Sequence, residues 1–162
     1  MSPETLKLQL RYCQWVFEKN TSGVNQEESL RHPPSGGNCL NWLVGHLTAS
    51  RQHMLTALGQ EPLWSKEAIA RFDRNSPPVT GREDAMPLTE MLEIHRICYE
   101  EITRGLDSVT PEQLAAKAPF SPSQDAKETV GSLLAGLVFH EAYHTGQTSY
   151  WRRAMGMEPS FR

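Results

Sequence analysis

The 162-residue chain has only three cysteines, no long apolar run, no excess of basic charge and no convincing alternating strand pattern. Each absence narrows what the protein can be. No segment approaches the roughly 20 consecutive apolar residues of a membrane-spanning helix. The first residues, "MSPETLKLQLRYCQWVFEKN", mix Glu, Lys, Gln and Arg among their apolar neighbours, unlike a secretory leader. The net charge of −3 leaves no electrostatic footprint for nucleic acid or an anionic membrane surface. Cys13, Cys39 and Cys98 are odd in number and lack C-x-x-C spacing, which reads as reduced thiols in a cytoplasmic protein.

What is present is helical periodicity, in a chain whose length suits one domain over residues 1–162. Leu6, Leu10, Cys13 and Phe17 recur at three- or four-residue steps, after a Ser2-Pro3-Glu4 start suited to an N-cap. A second helix is expected from about Asn38 to Leu58, where Gly59 follows as a terminator. Its apolar positions are Leu40, Val44, Leu47, Met54, Leu55 and Leu58. The third spans roughly Leu88 to Leu106, and the fourth about Lys127 to Met155, closed by Gly156. A short extra helix before the fourth begins at Thr110-Pro111. The long connection from Gly59 to Pro87 carries Trp64 and Phe72, so it is expected to fold back over the helices. The fold class is all-α, a four-helix bundle with sites built between facing helices.

The last long helix contains "FHEAYHTGQTSYW", in which His140 and His144 are four apart. On a helix they lie about 40° apart around the axis and ~6 Å apart along it, so both can reach one metal ion. H-E-x-x-H suggests a zinc protease with Glu141 as general base. The context does not follow. Gln147 and Tyr150 stand where a metzincin needs glycine and histidine, and Glu158 is the only downstream carboxylate. A third ligand must come from upstream, from His32, His46, His53 or His95. His32 falls in a loop expected to be solvated. His46 lies in the apolar "NCLNWLVGHLTAS" and ranks first by spacing, with His95 second.

"LNWLVGHL" combined with "FHEAYHTGQTSYWRRAMG" resembles the DinB/YfiT-like family over nearly the whole chain. The resemblance implies a four-helix bundle, commonly a homodimer, with a divalent metal on His46, His140 and His144. One departure is Thr145, where the family often has a basic residue; a surface or rim position is expected for it. Family members include thiol transferases and isomerases that use low-molecular-weight thiols.

Three neutral imidazoles leave a coordination position open, as in catalytic sites. Zinc or nickel comes first, with iron, cobalt or manganese also compatible with the ligands. The leading expectation is a metal-dependent S-transferase acting on a small molecule with a thiol partner. The alternatives are a hydrolase in which Glu141 manages the proton of a metal-activated water, and a non-enzymatic binding or stress-response bundle. Glu141 could instead orient a ligand, or equally be a solvated or interface residue, and Arg152 and Arg153 could hold carboxylates of a thiol cofactor or simply favour the helix dipole. Gln147, a turn beyond His144, could hydrogen-bond near the site, but the leading expectation is that it supports the packing that Gly146 permits. Trp64, Phe72 and Trp151 are candidates for a pocket wall or for core.

Overall fold

The structure, a computed structural model, describes residues 1–161. Among them are seven α-helices, one short 3-10 turn and no strand. They are α1 (Pro3–Thr21), α2 (Gln26–Ser29), α3 (Leu40–Ala57), α4 (Lys66–Phe72), α5 (Leu88–Ser108), α6 (Pro111–Ala115) and α7 (Val130–Ala154). The four long helices close a ring, with α1 and α3 each packing against both α5 and α7. The expected extra helix is α6, capped by Thr110. The fourth long helix starts later than the periodicity suggests. The Thr129 hydroxyl accepts the Ser132 amide proton, which makes Thr129 the cap. α2 was not expected, although Asn25 and Glu28 form a reciprocal capping box that the sequence displays as N-x-x-E.

The apolar stripes meet in two clusters. One joins Leu6 and Leu10 of α1, Met54 and Leu55 of α3, Ile102 and Leu106 of α5, and Leu133 to Val138 of α7. The other joins Phe17, Leu40 to Leu47, Phe72, Leu88, Met91 and Trp151. Each fully buried large aliphatic side chain contributes roughly 1.5–3 kcal/mol of transfer free energy. A polar layer of Gln14, Arg51, His95 and Glu141 lies in the same four helices, and all four side chains are buried.

The connection between α3 and α5 does fold back, and it covers the outer face of α3. Consequently every residue from Leu40 to Gln52 is buried, where an amphipathic helix with a wet face was expected. Polar side chains of α3 hold the connection in place. Asn41 donates to the Met86 carbonyl (2.8 Å), Trp42 donates to Ser76 Oγ (3.2 Å), and Gln52 accepts from the Leu63 amide (2.7 Å). Phe72, fully buried, lies against the backbone of α3 at Gly45. A Cβ at that position would come within 2.3 Å of the Phe72 ring, so glycine is what lets α4 dock. Gly146, expected to permit such an approach, has no atom within 4 Å of the corresponding position and is exposed.

Candidate metal centre

His46 projects from α3 and His140 and His144 from α7, and one ring nitrogen from each lies within 4.8 Å of the others. The 3.1 Å between Nε2 of His46 and Nε2 of His140 is close to the spacing of two ligands on one ion at about 2.0–2.1 Å. Each ring is oriented through its other nitrogen. His46 Nδ1 donates to the Phe72 carbonyl (2.6 Å) and His144 Nδ1 donates to Gln147 Oε1 (2.8 Å). Both acceptors are carbonyl oxygens, so the proton resides on Nδ1 and Nε2 keeps its lone pair. His140 Nδ1 lies 3.3 Å from Ser50 Oγ. Backing of this kind sets tautomer and ring orientation in metal-binding histidines. Trp42 stacks on His46 at 4.6 Å, and Tyr143 meets His144 edge-on at 5.0 Å.

The electrostatics agree with the geometry. Burial lowers the pKa of all three imidazoles. For His140, burial and then repulsion from His144 and His46 bring the value to about 4. For His46 the Phe72 carbonyl opposes the shift, and for His144 Gln147 does. All three rings are therefore neutral at pH 7 and able to donate electron pairs. The donor set fits a divalent ion of borderline character, with no thiolate in the cluster. The three cysteines are buried and free, and burial pushes the Cys13 thiol up to about 12 and Cys98 to about 11.

Several expected residues stand elsewhere. Glu141 does not face the histidines. One residue advances a helix by about 100°, which turns Glu141 into the polar layer. There it is fully buried, and Arg51 binds both of its oxygens, through Nε at 3.2 Å to each and through a second guanidinium nitrogen at 2.5 Å. Arg51 also donates to Gln14 Oε1 (2.7 Å) and to the His95 carbonyl (2.6 Å). His95 is fully buried against Phe17 (ring centroids 4.0 Å apart), its pKa held well below the ordinary value by burial and by Arg51. His53 pairs with Asp73 (3.1 Å). His32 is exposed as a residue, yet both ring nitrogens face carbonyls, Gly37 at 3.1 Å and Val79 at 2.8 Å. Arg152 binds the carbonyls of Asn20 and Ser22 at the end of α1, and Arg153 is exposed in the last turn of α7. Thr145 is buried, its carbonyl approached by Asn20 Nδ2 at 3.4 Å, so the expected rim position is corrected. Trp151 is core and donates to the Arg31 carbonyl (2.8 Å).

Sequence reasoning overlooked Arg51 and Ser50, and it ranked a packing role for Gln147 above the hydrogen bond that Gln147 makes to His144. A single cation inside the apolar run of α3 was a visible sign for Arg51, since a buried charge demands a partner. Ser50 and the Phe72 carbonyl carry no such sign.

An all-helical protein with three converging imidazoles is thus the class that the fold and site define. The sequence profile described as the DinB superfamily matches residues 9–148, and the chain belongs to that superfamily. No curated protein matches it. Among solved structures it is similar to a conserved protein of Enterococcus faecalis, with a TM-score of 0.71 and 16% identity. The alignment covers 96% of this chain and 98% of that one. At that identity the likeness concerns the fold.

Proposed function

We propose that residues 1–162 act as one domain that binds one divalent metal ion through Nε2 of His46, His140 and His144, and that the protein is a metal-dependent enzyme of the thiol S-transferase type. The observation that carries the reading is the separate backing of the three rings, by Phe72, Ser50 and Gln147, which leaves the Nε2 atoms facing one another. A hydrogen bond between core histidines would account for His46 and His140 but not for His144 at the same point. A divalent ion held there, zinc or nickel foremost, lowers the pKa of a coordinated thiol or water toward neutrality.

The surroundings favour transfer between two small molecules. Cavities of about 520 and 530 Å³ are both lined by His46 and His140, each in the range of small-molecule sites. Trp42, Phe139 and Tyr143 line one of them, while Ser50, His53 and Phe120 line the other. The hydrolase reading loses its proton carrier, because both Glu141 oxygens are bound to Arg51 away from either cavity. A low-molecular-weight thiol is the expected second substrate, since the chain's own thiols are buried. Leu8, Tyr12 and Trp15 share an exposed face of α1, which supports a homodimer. Reduced cysteines support a cytoplasmic location.

The test is elemental analysis and melting of untagged protein. Wild type should carry about one metal per chain, and His46→Ala and His144→Ala little. A ligand present at a thousandfold excess over its Kd stabilises by about 4 kcal/mol. His140→Ala should lose that increment in zinc and much less in chelator. Equal losses in both conditions would make His140 a packing residue and remove the metal site.

A further inference from the structure

The two cavities are lobes of one trough. They share His46, Arg74, Gly136 and His140, so a ligand can pass from one to the other across the imidazole edges. Arg74 lies in the turn after α4 and lines both lobes. Its guanidinium has no hydrogen-bond or ion-pair partner among the described residues, and its charge still opposes protonation of His46 and His140. The other arginines expected to meet a ligand are occupied or remote. Arg152 binds the end of α1, and neither it nor Arg153 lines the trough.

The turn that carries Arg74 is itself held in place. His46 binds the Phe72 carbonyl, Trp42 binds Ser76, and the Ser76 amide closes on the Asp73 carbonyl (3.0 Å). Arg74 is therefore positioned over the trough by the same contacts that orient a ligating histidine. The floor beneath it is open. Gly136 sits one turn before His140, and a Cβ added there meets no heavy atom within 4 Å. Apolar walls come from Phe120, Leu133 and Leu137.

Charge decides the kind of ligand. Asp73 and Glu128 also line the lobe that holds Ser50 and Phe120, Asp73 held by His53 and Glu128 near Ser123 Oγ (3.5 Å). One arginine against two carboxylates leaves one net negative charge, and a divalent ion on the histidines converts this to one net positive charge. A monoanion neutralises that charge, whereas a phosphate dianion overshoots it. We propose that the trough binds a small monocarboxylate with an apolar body, the carboxylate gripped by Arg74 and the body laid over Gly136. The assignment rests on the metal-site reading for its charge balance, but Arg74 and Gly136 can be tested without it.

The experiment titrates the full-length protein, zinc-loaded and chelated, with phenylacetate, its neutral isostere phenylacetamide, and phenyl phosphate. Calorimetry gives affinity, and elemental analysis gives zinc per chain on the same samples. A charge-assisted arginine–carboxylate contact corresponds to about a tenfold preference for phenylacetate over phenylacetamide. Arg74→Gln should erase that preference while zinc content and melting temperature stay at wild-type values, and Arg74→Lys should restore part of it. Gly136→Leu should melt no lower than wild type, since leucine favours a helix over glycine, and should lose both neutral and anionic probes. The proposal is overturned by wild type that binds no probe, by a preference that survives Arg74→Gln, or by undiminished binding in Gly136→Leu. Tighter binding of phenyl phosphate than phenylacetate would overturn the monocarboxylate assignment. An Arg74-dependent preference that persists in chelator, with no zinc uptake, would sink the metal reading and the charge balance that selects a monoanion, and would leave only the Arg74 grip on the carboxylate standing. Zinc uptake without an Arg74-dependent preference would do the reverse.

Discussion

Replacing Glu141 with Gln tests whether the acidic residue of the H-E-x-x-H pattern serves the fold or the chemistry. Glu141 and Arg51 are both fully buried, and the guanidinium makes three contacts to the carboxylate. The substitution keeps the shape and loses the charge, leaving Arg51 with only Gln14 Oε1 and the His95 carbonyl as full-strength acceptors. Breaking one side of a buried ion pair costs about 3–5 kcal/mol, because the remaining charge stays desolvated. In a chain of this size each kcal/mol lowers the melting temperature by about 2–4 °C, so a drop of roughly 6–20 °C is expected. Thermal melts of Glu141→Gln in chelator and in zinc should show about the same loss. The double variant Arg51→Met with Glu141→Leu should recover most of it, since replacing a buried pair by apolar groups of similar volume is often neutral or stabilising. A loss below about 1 kcal/mol, or one that appears only with zinc, would refute the structural role and return Glu141 to the metal site.

Two further outcomes follow from the packing and the titrations. Gly45→Ala should cost about 1–3 kcal/mol, offset by up to about 1 kcal/mol of helix propensity, because its methyl group displaces the Phe72 ring. It should also weaken zinc binding through the Phe72–His46 hydrogen bond, and zinc affinity equal to wild type would disconnect α4 from the site. Acid should destabilise the metal-free protein. Burial holds His95 well below its ordinary value, and burial with repulsion from its partners brings His140 to about 4. Between pH about 6.5 and 4 the unfolded chain thus binds more protons than the folded one, so stability falls as the pH drops through that window and is flat above it. Urea midpoints in chelator at pH 7.5, 6 and 5 measure the slope, and His95→Gln should reduce it. Equal midpoints at all three values would contradict the burial of these rings.

The long helices and the three histidines were legible because both depend on short-range periodicity. Apolar residues at three- and four-residue steps can bury one face of a helix only as a helix, and two histidines four apart must share a face. His46 needed more than spacing, since His95 satisfied the same rule, and it was the resemblance between "LNWLVGHL" and the family pattern that separated them. Glu141 shows where periodicity misleads. Its angle around the helix was known, but whether about 100° from His140 pointed toward a ligand or a buried arginine depended on where α3 lay.

The sequence by itself therefore determined an all-helical chain, its main helix boundaries within a few residues and the pair on α7, all set by neighbours one or two turns away. Only the tertiary structure decided the rest. It placed the Phe72 carbonyl behind His46, turned Glu141 onto Arg51, and laid Arg74 over the trough. Those first two contacts join residues 26 and 90 positions apart in the chain. They arise from the docking of α4 at Gly45 and the packing of α3 on α7, which helical periodicity leaves open because it says which face is apolar and not what that face meets.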